Sequence, residues 1–158
     1  MSDKTASKVE LAVATFGEGF NCSQAVFSAF APDLGLDRET ALRVSGAFGA
    51  GMGRTGQTCG AVSGALMAIG LKYGSINPED KTTKEQVYAL VREFVRQFRA
   101  RNGTTLCPEL LGYDIGTPEG LQAVREKGLV ATVCTPAVQD AAEILEQLFQ
   151  VNSAGHLV

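Results

Sequence analysis

Apolar residues along the chain recur at helical rather than strand spacing, and nothing alternates for long. Val9, Leu11, Ala12, Val13 and Phe16 form a broad stripe that predicts a helix over 5–16. A Gly17-Glu18-Gly19 break separates it from a second helix over about 22–31, which must end before Pro32. Asp37 is a good cap for a third helix running through Val44. The run from Gly60 to Leu71 is apolar on every face, which predicts a central, buried helix over 59–72. After Asn77-Pro78, Val87, Leu90, Val91, Phe94, Val95 and Phe98 make the clearest amphipathic face. Arg92, Arg96 and Arg99 lie elsewhere on that helix as a solvated face, and Asn102-Gly103 ends it. Shorter helices are expected over about 108–112, 118–127 and 136–151, the last capped by Thr135 with Pro136 at its first position. With no repeat, low-complexity tract or linker, the pattern predicts one all-α domain over 1–158. It would be a bundle of about six helices around 59–72, with a Gly-rich loop before that helix.

Length and charge narrow the picture. A chain of 158 residues is long enough to bury a real core in one domain. A net charge of −3 argues against a nucleic-acid-binding surface. The polar start Met1-Ser2-Asp3-Lys4-Thr5 lacks an apolar signal core, and the apolar run 60–71 is too short to span a bilayer. The expected compartment is therefore a reducing cytoplasm, with no membrane span and no structural disulfides. The single histidine, His156, stands close to the end of the sequence, so neither Ser/His/Asp nor Cys/His machinery is available.

The four cysteines carry the chemistry. Each stands where a helix is expected to begin: Cys22 after Asn21, Cys59 after Thr58, Cys107 before Pro108, and Cys134 before Thr135-Pro136. Unbonded N–H groups and the positive end of the helix dipole favour a thiolate there, preparing a thiol for redox chemistry or for a soft metal. No two form a Cys-x-x-Cys pair, unlike zinc fingers and ferredoxin motifs, yet helix starts distant in sequence can converge in space. The bland alternative is four small buried hydrophobes.

Gly46, Gly49, Gly51, Gly53 and Gly56 crowd the approach to Cys59. The literal Gly-x-Gly-x-x-Gly at Gly51, Gly53 and Gly56 follows a helical pattern, not a strand, which makes a dinucleotide site a poor reading. Where a phosphate loop needs Gly-Lys-Ser/Thr, Gly56-Gln57-Thr58 is present. Two readings stay open. Gly53, Gly56, Gly60 and Gly64 let backbone N–H groups gather round an anionic centre at Cys59, with Arg54 adding positive field, or they simply join two close-packed helices. Gly60, Gly64 and Ala68 form a small face that admits another backbone, from this chain or from a second copy in a homodimer.

The hexapeptide Cys59-Gly60-Ala61-Val62-Ser63-Gly64, with Cys22 before it and Cys107 and Cys134 after it, resembles the C_GCAxxG_C_C family of redox-active proteins. Cys107 to Gly112 also looks like the family, and the likeness runs over about 9–150. The resemblance implies redox activity carried by the four cysteines. It is also similar to a domain of split-Soret multihaem cytochromes, in which an iron–sulfur cluster accompanies the haems. No Cys-x-x-Cys-His is present, so haem does not carry over, and what the resemblance leaves open is a cluster. The expectation is thus a redox or electron-transfer protein. Cys22, Cys59, Cys107 and Cys134 would ligate one iron–sulfur cluster, or form thiol/disulfide couples without a cofactor, with Cys59 as the attacking thiol. A redox partner is implied without being identified. The alternative is a non-catalytic module that binds zinc through its cysteines or binds a partner.

Overall fold

The computed structural model describes residues 6–152, so Met1–Thr5 and His156 lie outside the described residues. Within it the chain forms eight right-handed α-helices. They are α1 (Lys8–Gly17), α2 (Cys22–Phe30), α3 (Arg38–Ser45), α4 (Gly60–Tyr73), α5 (Lys81–Asn102), α6 (Cys107–Leu111), α7 (Pro118–Glu126) and α8 (Thr135–Asn152). The architecture is all-α, as expected; the eight helices correspond to the eight segments marked by periodicity and caps, two more than a bundle of about six.

Most boundaries follow from caps that the sequence spells out. Ser7 and Asn21 each form a capping box, with Glu10 and Gln24 respectively. Asp37 and Asp80 accept from Thr40 and Thr83 three residues on, and Gly103 stops α5 in the left-handed region at φ 84°. A single 3₁₀ turn, Ala31–Leu34, carries Pro32 after α2.

Two segments depart from expectation. The expected loop before α4 contains a left-handed helical turn, with Ala50, Gly51, Met52, Gly53 and Arg54 all at φ between 58° and 70°. For L-residues this costs about 1–2 kcal/mol each, so alternate glycines make the turn feasible. The second concerns Thr135, which does not cap a new helix. A π-turn, Val130–Cys134, runs directly into α8, and the Thr135 N–H donates to the Val130 carbonyl. Pro136 has no N–H to donate, and the wider turn absorbs the mismatch.

The core forms around α2 and α4, with α1, α5 and α8 packed on them. Phe94 and Phe98 of α5 and Ile144 and Leu145 of α8 are fully buried. The first turns of α4 are buried all round, which fits its lack of any polar face. The closest approach is between α2 and α4. A Cβ at Gly60 would sit 2.4 Å from Cys22 Sγ, and one at Gly64 would sit 2.6 Å from the Ser23 carbonyl. The Gly60–Gly64 face of α4 is therefore taken by α2 of the same chain. A second, smaller cluster of Cys107, Leu111 and Val124, with Ile115 and Val133 against it, stands apart from the main core.

Substituting Gly64→Ala places a methyl against backbone, and overpacking of this kind costs about 1–3 kcal/mol. The melting temperature should fall by roughly 5 °C or more. Gly70→Ala on the same helix meets nothing within 4 Å and should raise it slightly, by relieving the glycine's helix penalty. Equal thermal shifts for the two variants would show that the α2–α4 contact is not limiting.

Candidate functional site

The four cysteine-bearing segments are held by separate local devices. The Asn21–Gln24 capping box fixes Cys22 at the first position of α2. Its outer groups tie that helix start to α3 and the segment after it. The Asn21 side-chain amide donates to the Gly46 carbonyl at 2.9 Å, and that of Gln24 to the Leu42 carbonyl at 3.0 Å. Gly49 has no side chain because Asn21 occupies the space, with a would-be Cβ only 2.1 Å from its Cγ.

Cys59 and Cys107 stand side by side. Their segments form an isolated antiparallel bridge, Thr58 with Leu106, the one strand-like pairing among the described residues. The Cys59 N–H donates to the Thr105 carbonyl at 2.7 Å, and the Cys107 N–H to the Gln57 carbonyl at 2.9 Å. Gly51 of the left-handed turn lies against Cys107, since a Cβ there would be 2.7 Å from that of the cysteine. Cys134 is the last residue of the π-turn.

All four cysteines line one cavity of about 380 Å³. Cys59 and Cys107 are buried in its wall, and Cys22 and Cys134 are partly exposed. Phe16, Phe20, Leu110, Ile115, Leu121 and Val130 make much of the lining apolar, and Arg54 and Arg125 are the charged residues in it.

The four thiols are not equivalent. Cys22 is brought down to about 6, chiefly because the Cys59 thiol donates to it, with the backbone N–H groups of Ala50, Ser23 and Gly60 adding to the effect against burial. Cys59 is pushed up by the same contact, then by burial and by the charge on Cys22. Burial, followed by the Cys22 charge, raises Cys107 to about 11 and Cys134 to about 12. The contact that lowers Cys22 raises Cys59, so the direction favours the anion on Cys22, whereas the sequence points to Cys59 as the attacking thiol. For Cys134 the helix-start argument fails altogether, because its segment is continuous helix with no exposed N–H row.

The glycines expected to bind a cofactor divide by role. Gly60 touches Cys22 Sγ, whereas Gly64 packs on Ser23 and Phe27 one turn away. Gly53 and Gly56 serve the chain's path at φ 70° and 75°, with nearest neighbours at 3.6 Å, and neither lines the cavity. Arg54 does line it. Sequence reasoning missed Gly51, the Ala50 N–H and Arg125. The first two were concealed in the glycine run, and nothing in the pattern around Arg125 distinguished it from a surface arginine.

Ionisation at neutral pH has a measurable consequence. At pH 7 a thiol of pKa about 6 is roughly nine-tenths ionised, and one at about 11 roughly one part in ten thousand. Lower basicity reduces intrinsic nucleophilicity, yet about a fiftyfold preference for Cys22 over Cys107 remains at a Brønsted slope near 0.45. Alkylation with iodoacetamide, followed by peptide mapping, should modify Cys22 first, with a rate that rises through pH about 6 and then levels. Cys59→Ala removes the donor and should move that midpoint up towards the ordinary thiol value of 9.0. A wild-type midpoint at that ordinary value would show that the thiolate is not stabilised.

Among the described residues no three His, Cys, Asp or Glu side chains are gathered closely enough to hold a metal ion. No described helix is long and apolar enough to cross a membrane. No curated protein and no solved structure matches the chain. Residues 20–148 match the family model described as "Putative redox-active protein (C_GCAxxG_C_C)", a span that includes all four cysteines and the cavity they line. The chain belongs to the C_GCAxxG_C_C family.

Proposed function

We propose that the protein is a thiol–disulfide oxidoreductant whose working couple is Cys22 with Cys59. The observation that carries this reading is their juxtaposition: Cys22 Sγ lies against Gly60, the residue after Cys59, and both cysteines line one cavity, with the anion favoured on Cys22. The Cys22 thiolate attacks one sulfur of a disulfide substrate, forming a mixed disulfide and expelling the other sulfur as a thiolate, which takes a proton from water. That step removes the charge from Cys22, and with it two of the influences holding the proton on Cys59. Cys59 then releases its proton to solvent and attacks Cys22 Sγ. The second substrate thiol leaves, and two electrons have passed from the dithiol to the substrate. A thiol reductant restores the couple.

A second reading rests on a different observation, that four thiols surround one cavity. Thiolate is the usual ligand of iron–sulfur clusters, and the donor set fits one. Cys22, Cys59, Cys107 and Cys134 would hold it, and it would supply one-electron transfer. A single zinc ion suits the site less, since its ligand atoms must all lie about 2.3 Å from one point and no three candidate ligands among the described residues are so gathered.

Titration of the reduced protein with oxidised dithiothreitol or a similar disulfide should remove two of the four thiols. Peptide mapping should then join Cys22 to Cys59, and Cys22→Ser should abolish the link. Protein purified without oxygen and carrying stoichiometric iron and acid-labile sulfide would instead favour the cluster. Linkage through Cys107 and Cys134 alone would overturn the assignment of the couple.

A further inference from the structure

The lining of the cavity has a charge asymmetry that dithiol chemistry alone does not use. Two arginines, Arg54 and Arg125, are among its lining residues, both exposed at its edge to solvent. No Asp or Glu is among the described lining residues, the charge of Asp114 reaching Cys107 from outside the lining. Elsewhere Arg43, Arg96 and Arg101 each hold a carboxylate, but Arg54 and Arg125 form no ion pair among the described residues. They arrive from independent elements. Arg54 ends the left-handed turn with its own φ at 68°, and Arg125 lies in the last turn of α7. Two positive groups over largely apolar walls, with a thiolate among the lining residues, define a ligand chemistry: an apolar body, an anionic group and an electrophilic sulfur. The volume of about 380 Å³ lies near the small end of ligand pockets, which span about 300–1,000 Å³. It suits a small molecule better than a folded partner's loop.

Resting on the reading that Cys22 and Cys59 form the couple, we propose that the substrate class is a small disulfide with an apolar body and a carboxylate, held by Arg54 and Arg125 while Cys22 attacks its sulfur. Arginine suits this role because its planar fork pairs with a carboxylate through two hydrogen bonds. The Cys22 thiolate forms a bond to one sulfur and the other leaves as the first substrate thiolate. Cys59 then displaces the second, so that each disulfide consumed yields two thiols and one Cys22–Cys59 disulfide. Both electrons come from the couple, and a thiol reductant regenerates it.

The test compares two activated aryl disulfides that differ in charge: dithionitrobenzoate, which carries carboxylates, and dithiodipyridine, which is neutral. Wild type and variant are compared on the same pair, so that the difference in size between the reagents cancels. Rates of aryl thiolate release are measured by stopped flow for the wild type and for the double variant Arg54→Asn, Arg125→Gln. Asparagine tolerates the left-handed φ and glutamine favours helix, so both backbones are kept, and a melting curve checks folding. The ratio of anionic to neutral rate should fall by about tenfold or more in the variant, and should fall in the wild type as salt is raised. A ratio unchanged within about twofold, with Cys22–Cys59 linkage still formed, would overturn the substrate class and leave the couple standing. Failure of either reagent to produce that linkage in the wild type would overturn the couple itself.

Discussion

Everything at this site depends on how closely two helices approach. Because Gly60 and Gly64 have no side chains, α2 lies on the first two turns of α4 with Cys22 Sγ 2.4 Å from where a Cβ of Gly60 would be. Such proximity does three things at once. It aims the Gly60 N–H at the Cys22 sulfur, brings the Cys59 thiol within donating range, and buries both away from competing water. A methyl group at Gly60 would meet Cys22 Sγ at 2.4 Å and one at Gly64 the Ser23 carbonyl at 2.6 Å, so either forces the helices apart. The Cys-Gly-Ala-x-x-Gly pattern is therefore a packing requirement first, and its chemistry follows from the packing.

Burial alone would make all four thiols inert, since moving a thiolate into an apolar wall raises its pKa. Cys107 and Cys134 show that outcome. Cys22 escapes because three backbone N–H groups and one thiol are already aimed at its sulfur, so no reorganisation is needed when it ionises. Its contact raises Cys59, and its charge adds to the burial that raises Cys107 and Cys134. With the anion favoured on Cys22, every further ionisation in the cavity is coupled to the loss of that charge or to a bound cation.

Much of this was legible in the sequence because helix caps are local. Asn21, Asp37 and Gly103 act within a turn or so of themselves, and the structure uses each as its neighbours suggest. Cys134 was misread because Pro136 marks either a helix start or a tolerated interruption, and only tertiary packing chooses between them. The glycine run announced unusual backbone without revealing its hand, since left-handed runs are too rare for any composition to signal. The lowering at Cys22 depends first on Cys59 and then on Ala50, 37 and 28 residues away, and no local rule reaches that far.

The left-handed turn holds the non-glycine residues at positive φ among the described residues, and its position explains why it persists. Ala50, Met52 and Arg54 lack glycine's freedom yet all sit at φ between 58° and 68°. A turn needed only to connect helices would relax to a cheaper path, because nothing in the connection from Ser45 to Gly60 demands that hand. This one sends the Ala50 N–H to the Cys22 thiolate, lets Gly51 lie against Cys107, and delivers Arg54 to the cavity. Strain of about 1–2 kcal/mol per non-glycine residue is offset where the turn contacts a charge and a buried wall. The thiolate and the turn thus hold each other in place. Loss of the charge when Cys22 forms a disulfide removes one of the turn's own supports, so the geometry that readies Cys22 for attack is strongest before the reaction begins.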